Sequence, residues 1–258
     1  MVIESRQNRV FKDIRRLRQS KGDLAILEGP HLVEEALRDG VPLTSVVATR
    51  DFLDSSAGGR LTALLPRPPL EIKPVLLGEL CDADAPRGLL AVARLPRGGA
   101  ATLPRVANGI YLYLEGAQDP GNLGAAIRSL EAAGGLAAAL SPGAASPNHA
   151  RALRGSAGSL LRIPVAVHVE ADELATHLAP VRPRWLALVP RGGIDPAAAD
   201  LSGTLVLTVG AEGPGLSEEL AARADVRLSI PLAGAVESLN LAVATALVLF
   251  EARRRRAS

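Results

Sequence analysis

A parallel α/β fold is the class this sequence predicts, on three observations. From Ile110 onward short apolar runs alternate with helical patterns, the arrangement of a parallel sheet covered on both faces. Hydrophobic residues make up 48% of the chain but aromatic residues only 2%, so Ala, Leu and Val must fill the core. The stretch "PRGGAATLPRVANG" (96–109) is rich in Gly and Pro and has no periodicity, which marks a break within a chain long enough for two domains. The expected division is 1–97, a linker at 98–107, and 108–258.

The elements follow in order. In "NRVFKDIRRLRQSKG" Val10, Ile14 and Leu17 recur at helical spacing, with basic residues on the other face. "LAILEG" reads as a strand and "PHLVEEALRDG" as a helix begun at Pro30 and stopped at Gly40; "LTSVVAT" and "GLLAVARL" are further strands. The second domain opens with "IYLYLE", a helix from about Asn122 to Ala133 and "LAAAL". A helix at 148–155, "IPVAV", a helix near 171–178 and "WLALVP" come next. "TLVLTVG", a helix at 216–223, "VRLSI" and a final apolar helix complete the alternation. In such sheets ligands sit beyond the carboxyl ends of the strands.

Charge is segregated. The whole chain has a formal net charge of only +2, yet residues 1–22 carry Arg6, Arg9, Lys12, Arg15, Arg16, Arg18 and Lys21 against Glu4 and Asp13, a local net of +5. The tail ends in Arg253 to Arg256. Two concentrated basic patches on a nearly neutral body predict a polyanionic partner met at defined places. Cys81 is the only cysteine and the four histidines lack ligand spacing, so neither a disulfide framework nor a metal site is expected. With no secretory segment and no apolar run long enough to span a bilayer, a cytoplasmic protein is expected.

Three clusters stand at strand ends. In "EGAQDPGNLGAAIRSLEAAG" (115–134) Asn122 lies near a helix start and Arg128 about a turn and a half farther on; a capped helix with one surface arginine would also explain them. In "LTVGAEGPGLSEEL" (207–220) the glycine spacing is GxxGxG rather than GxGxxG, and Glu212 inside the turn would repel pyrophosphate. A cationic or zwitterionic ligand fits that loop better. In "VRLSIPLAGAVESLN" (226–240) Ser238 could cap the last helix, but Asn240 falls inside its first turn. That placement predicts a buried amide with partners.

Together the clusters resemble the three motifs of the SpoU (TrmH-like) family of RNA ribose methyltransferases, within the knotted SPOUT superfamily. "DPGNLGAAIRSLEAAG", "LTVGAEGPGLS" and "IPLAGAVESLNLAVATALVLFEARR" occur in family order, and "SAGSLLRIPV" resembles the family's link between the first two. More loosely, "QNRVFKDIRRLR" and "ILEGPHLVEEAL" are similar to the ribosomal-protein-like substrate-binding domain of many members. The resemblance implies a deep trefoil knot in the C-terminal parallel-sheet domain, preceded by a small α/β RNA-binding domain at 1–97. It implies S-adenosylmethionine as cofactor, held through the backbone of Gly210, Ile230 and Leu239 with Thr208, Ala211 and Leu232 nearby. Asn122, Arg128, Glu212, Ser238 and Asn240 match the family's active-site polar residues, and the implied reaction is methyl transfer to a ribose 2′-hydroxyl. It also implies a homodimer in which Arg128 serves the partner's cofactor.

Ribosomal RNA is favoured over transfer RNA because of the extra N-terminal domain, with Arg6, Arg9, Lys12 and Arg15 as the RNA-docking residues. Phe11 and Phe52 are the only aromatics before Tyr111, so recognition must lean on phosphates and RNA shape rather than base stacking. Other readings are a transfer RNA ribose methyltransferase, a non-catalytic RNA-binding protein that keeps the fold, and a nucleotide-dependent oxidoreductase. The intact polar set argues against the second, and the missing GxGxxG against the third.

Overall fold

The computed structural model describes residues 2–18 and 22–256; Lys21, one of the N-terminal cations, lies outside them. In chain order the elements are β1 (Val2–Ile3), α1 (Arg9–Leu17), β2 (Leu24–Glu28), α2 (Pro30–Arg38), β3 (Leu43–Ala48), α3 (Arg50–Leu53), α4 (Ser56–Leu64), β4 (Leu70–Ile72), α5 (Pro74–Leu80) and β5 (Leu89–Arg94). They continue with β6 (Ile110–Glu115), α6 (Pro120–Ala132), β7 (Ala137–Leu140), α7 (Ala150–Ser156), α8 (Ser159–Arg162), β8 (Val165–Ala166) and α9 (Ala171–Leu178). The chain closes with β9 (Arg184–Leu188), β10 (Leu205–Gly210), α10 (Glu218–Arg223), β11 (Val226–Leu228) and α11 (Leu241–Arg256). Residues 1–96 with 148–162 form one compact unit, and 97–147 with 163–258 the other.

The first unit is built on a mixed sheet in the order β1-β4-β3-β5-β2. Helix α1 begins because Asn8 caps it, accepting from the Val10 N–H at 2.9 Å. Its apolar face buries Phe11 and Ile14 against Ile3, Ile72, Leu77 and Leu80, leaving Arg9, Lys12, Arg15 and Arg16 exposed. The segment 148–162 packs here, although the expected boundary at 108 places it in the second domain. Ion pairs draw it in. Arg154 pairs with Glu28, whose side chain is only 5% exposed, and Arg162 pairs with Glu35 and Asp39. A nearly buried carboxylate is costly without such a partner, and hydrophobic periodicity cannot reveal it.

The second unit has six parallel strands in the order β11-β9-β10-β6-β7-β8. Tyr111 and Tyr113 point to one face of β6 and Leu112 and Leu114 to the other, and all four are buried. The scarce aromatic rings sit in the core with their hydroxyls satisfied: Tyr111 donates to the Pro104 carbonyl at 2.9 Å and Tyr113 to that of Val169 at 3.1 Å. Residues 98–107, expected as a linker, put Ala100 and Leu103 into this core. Arg105 donates to His177 Nδ1 at 3.0 Å, which leaves the His177 Nε2–H to donate to the Leu103 carbonyl at 3.0 Å.

Helix α11 buries Leu241, Ala242, Thr245, Val248, Leu249 and Ala252 and packs on α6. The arginine tail also makes contacts within its own unit. Arg253 donates to the Ala132 carbonyl at the end of α6, and Arg255 to that of Ala199 at 3.0 Å. Arg256 donates to the carbonyls of Asn108, Leu201 and Gly203, and Glu251 pairs with Arg254 and Arg255. Cations in a last helical turn meet unsatisfied carbonyls, so these side chains tie the helix end to its own unit while all four remain exposed. No helix among the described residues is long and apolar enough to cross a membrane.

Candidate active site

A cavity of about 320 Å³ opens at the carboxyl ends of β9, β10 and β11. Its walls are Leu188 to Pro190, the turn from Gly210 to Leu216, and Ile230, Leu232 and 238–241 from the loop entering α11. The turn doubles back on itself: Ala211 and Gly215 form an isolated bridge, with the Gly215 N–H donating to the Ala211 carbonyl at 3.0 Å. A Cβ at Gly210 would lie 2.0 Å from the Leu216 nitrogen, so only glycine permits the approach. Gly215, at φ 75°, takes the left-handed conformation that closes the turn.

Five of the six expected cofactor residues, Gly210, Ala211, Ile230, Leu232 and Leu239, line this cavity. Thr208 does not. Its side chain is wholly buried in the sheet and its hydroxyl donates to the Leu186 carbonyl at 2.9 Å. The wall formed by Val189 and Pro190 escaped sequence reading, although "WLALVP" ends a strand and the strand-end rule points there.

One polar residue from each of the three clusters meets the others at the rim. Asp119 caps α6, accepting from the Asn122 N–H at 2.8 Å, and so leaves the Asn122 side chain free. The Asn122 amide donates to the Glu212 carboxylate, and its Oδ1 accepts from Asn240 Nδ2 at 2.9 Å. Glu212, Asn122 and Asn240 therefore form one chain of hydrogen bonds across three strand ends. Ser238 lines the cavity beside them.

The expected burial of Asn240 is overturned: the residue is exposed. The helix starts at Leu241, two residues later than a Ser238 cap would place it, and Asn240 caps it, accepting from Ala242 N at 2.9 Å and Val243 N at 3.3 Å. The capping role considered for Ser238 belongs to Asn240.

Arg128 is not part of the cluster. Six residues beyond Asn122, it lies about 240° around the helix. It is exposed, has no polar partner among the described residues and does not line the cavity. Of the expected RNA-docking residues, Arg6 is held by Glu79 through a two-pronged pair (2.6 and 2.8 Å), while Arg9 lies 3.8 Å from Asp13. Lys12 and Arg15 are exposed and make no hydrogen bond or ion pair among the described residues. No cluster of His, Cys, Asp and Glu among the described residues could hold a metal ion.

A model of the SpoU rRNA Methylase family matches residues 109–250. The chain is similar, at 30% identity over 97% of its length and 98% of the relative's, to the 23S rRNA (guanosine(2553)-2′-O)-methyltransferase RlmP of Bacillus subtilis. Its fold is similar to that of the AdoMet-bound rRNA methyltransferase from Sinorhizobium meliloti, with a TM-score of 0.86 and 29% identity over 100% of this chain and 99% of that one. It is also similar to the SpoU methyltransferase AviRb from Streptomyces viridochromogenes in complex with AdoMet, with a TM-score of 0.88 and 25% identity over 98% and 99%.

Proposed function

The chain belongs to the SpoU rRNA methylase family, and from that premise we propose that it methylates a ribose 2′-hydroxyl of ribosomal RNA with S-adenosylmethionine as donor. The observation that carries this reading is the Glu212–Asn122–Asn240 chain on the rim of a cavity walled by Gly210, Ile230 and Leu239. The cavity residues fit the donor. Among the described residues lining it, Glu212 is the only one with a charged side chain, and a carboxylate favours a sulfonium cation while disfavouring a pyrophosphate.

S-adenosylmethionine supplies an electrophilic methyl group; the residues here must orient the acceptor and help remove its proton. Asn122 and Asn240 fix each other and Glu212 in place, so the rim is arranged before substrate arrives. Ser238, which lines the same cavity, adds a hydroxyl to this set. Arg128 suits orientation of the ribose and phosphate, because a guanidinium offers a planar fork of donors and no acceptor.

Three finer features complete the proposal. A trefoil knot, the first of them, is supported by residues of the loops 211–217 and 229–240 lining one cavity from different strand ends. A homodimer would cover the exposed stripe Val243, Leu247 and Phe250 on α11, which are 49%, 49% and 47% exposed, and would bring Arg128 to the partner's site. The first unit would dock RNA through the open face of α1.

The test is incubation of the purified protein with methyl-labelled S-adenosylmethionine and ribosomal or transfer RNA from a deletion strain, followed by mapping of ribose methylation. Label in one ribosomal 2′-hydroxyl is expected. Label in transfer RNA alone would overturn the substrate, and absence of cofactor binding would overturn the chemistry.

A further inference from the structure

The turn 211–217 forms a wall of the cavity and carries Glu212, yet it contains Gly213, Pro214 and Gly215 and no regular structure. Something must hold it. At its tip Glu212 accepts from Asn122. At its root Glu115, the last residue of β6, takes both polar groups of Ser217: the N–H donates to Oε2 at 2.7 Å and the Oγ–H to Oε1 at 2.8 Å. Strand register sets Glu115 opposite Gly210, so this carboxylate stands beside the point where the chain leaves β10.

We propose that Glu115 is a positioning residue: through Ser217 it holds the turn 211–217 in the form in which its main chain receives S-adenosylmethionine. The assignment rests on the functional reading of the cavity given above. An ionised carboxylate is an acceptor only, and it matches two donors from one residue with two charge-assisted bonds. Without them the glycine-rich turn must be ordered when the cofactor binds, and that ordering cost appears as lost affinity. Ser217 also caps α10 by accepting from Leu220 N at 3.3 Å, so the same residue fixes where the turn ends. A role confined to capping α10 would lower the melting temperature and leave cofactor affinity unchanged.

The experiment is calorimetric titration of wild type, Glu115→Ala, Glu115→Gln, Ser217→Ala and the Glu115→Ala/Ser217→Ala double variant with S-adenosylmethionine, alongside KM and kcat. Glu115→Ala is expected to weaken cofactor binding about tenfold, roughly 1.4 kcal/mol, and to raise the cofactor KM more than it lowers kcat. Ser217→Ala keeps the bond from the backbone N–H and is expected to lose less. The double variant should bind no more weakly than Glu115→Ala, because both changes remove the same interaction. Cofactor affinity within about twofold of wild type in folded Glu115→Ala, below about 0.4 kcal/mol, overturns the assignment. If Glu115→Ala does not fold, unchanged affinity in both Glu115→Gln and Ser217→Ala overturns it equally. A wild-type protein that binds no S-adenosylmethionine overturns the functional reading and this assignment with it, whereas unchanged variants beside a binding wild type overturn the assignment alone.

Discussion

Asn122 uses both ends of one amide: its NH2 group faces Glu212 and its carbonyl faces Asn240. Asn240→Ala removes the cap of α11 together with that bond, so stability is expected to fall by about 1 kcal/mol, the usual worth of a cap. Turnover should fall as well, because Asn122 is then without the bond that fixes its orientation. Chemical denaturation and a methyl-transfer assay check the two effects, and unchanged turnover would remove Asn240 from the site. Arg128 gives a contrasting prediction. It lies off the cavity and has no partner of its own among the described residues, so Arg128→Ala should leave cofactor affinity nearly intact while turnover falls by roughly a hundredfold or more. Near-normal turnover in that variant would take Arg128 out of the mechanism. At this scale the residue types were legible in the sequence but their surroundings were not. Asn240 read as buried because helix starts carry an error of a residue or two, and moving the cap from Ser238 to Asn240 turns a first-turn position into an exposed cap.

The final helix makes the same point at the scale of the element. Its apolar run and arginine tail were both visible, and the tail read as a surface for polyanions. Its contacts were not visible: Arg256 joins the carbonyls of Asn108, Leu201 and Gly203, residues far from it in sequence. Arg256→Ala should therefore lower stability by about 1–2 kcal/mol, read as a shift in the denaturation midpoint, while the salt dependence of RNA binding stays as in wild type. A flattened salt dependence at unchanged stability would return Arg256 to the RNA surface. Strands β6, β7 and β10 of the second unit were legible because they are continuous apolar runs buried along almost their whole length. In the first unit, β1 and β4 are only two and three residues long, too short for a period to show. Residues 148–162 could not be assigned to a unit by pattern, since Arg154 and Arg162 hold them through individual ion pairs.

For the whole molecule, two surfaces carry the remaining predictions. The α11 stripe of Val243, Leu247 and Phe250 is apolar and about half exposed, more than an isolated helix face should present to water. Leu247→Glu should convert a dimer to a monomer in sedimentation analysis over a wide concentration range. A wild type that is monomeric and active would contradict the dimer. The second surface is charged. Residues 1–22 carry a net +5, whereas 101–258 balance fourteen basic against fourteen acidic side chains, so long-range attraction for RNA is concentrated in the first unit. Arg6 is tied to Glu79, and its removal would confuse folding with docking. The variant that isolates docking neutralises Arg9, Lys12 and Arg15 and leaves Arg6 in place. Cofactor affinity should stay at the wild-type value. RNA binding should weaken, and its logarithmic dependence on salt should flatten by up to about 0.7–0.9 for each phosphate that is no longer neutralised. Binding isotherms at several salt concentrations measure that slope, and an unaltered slope would mean that the charges only solvate α1 and that the RNA docks elsewhere.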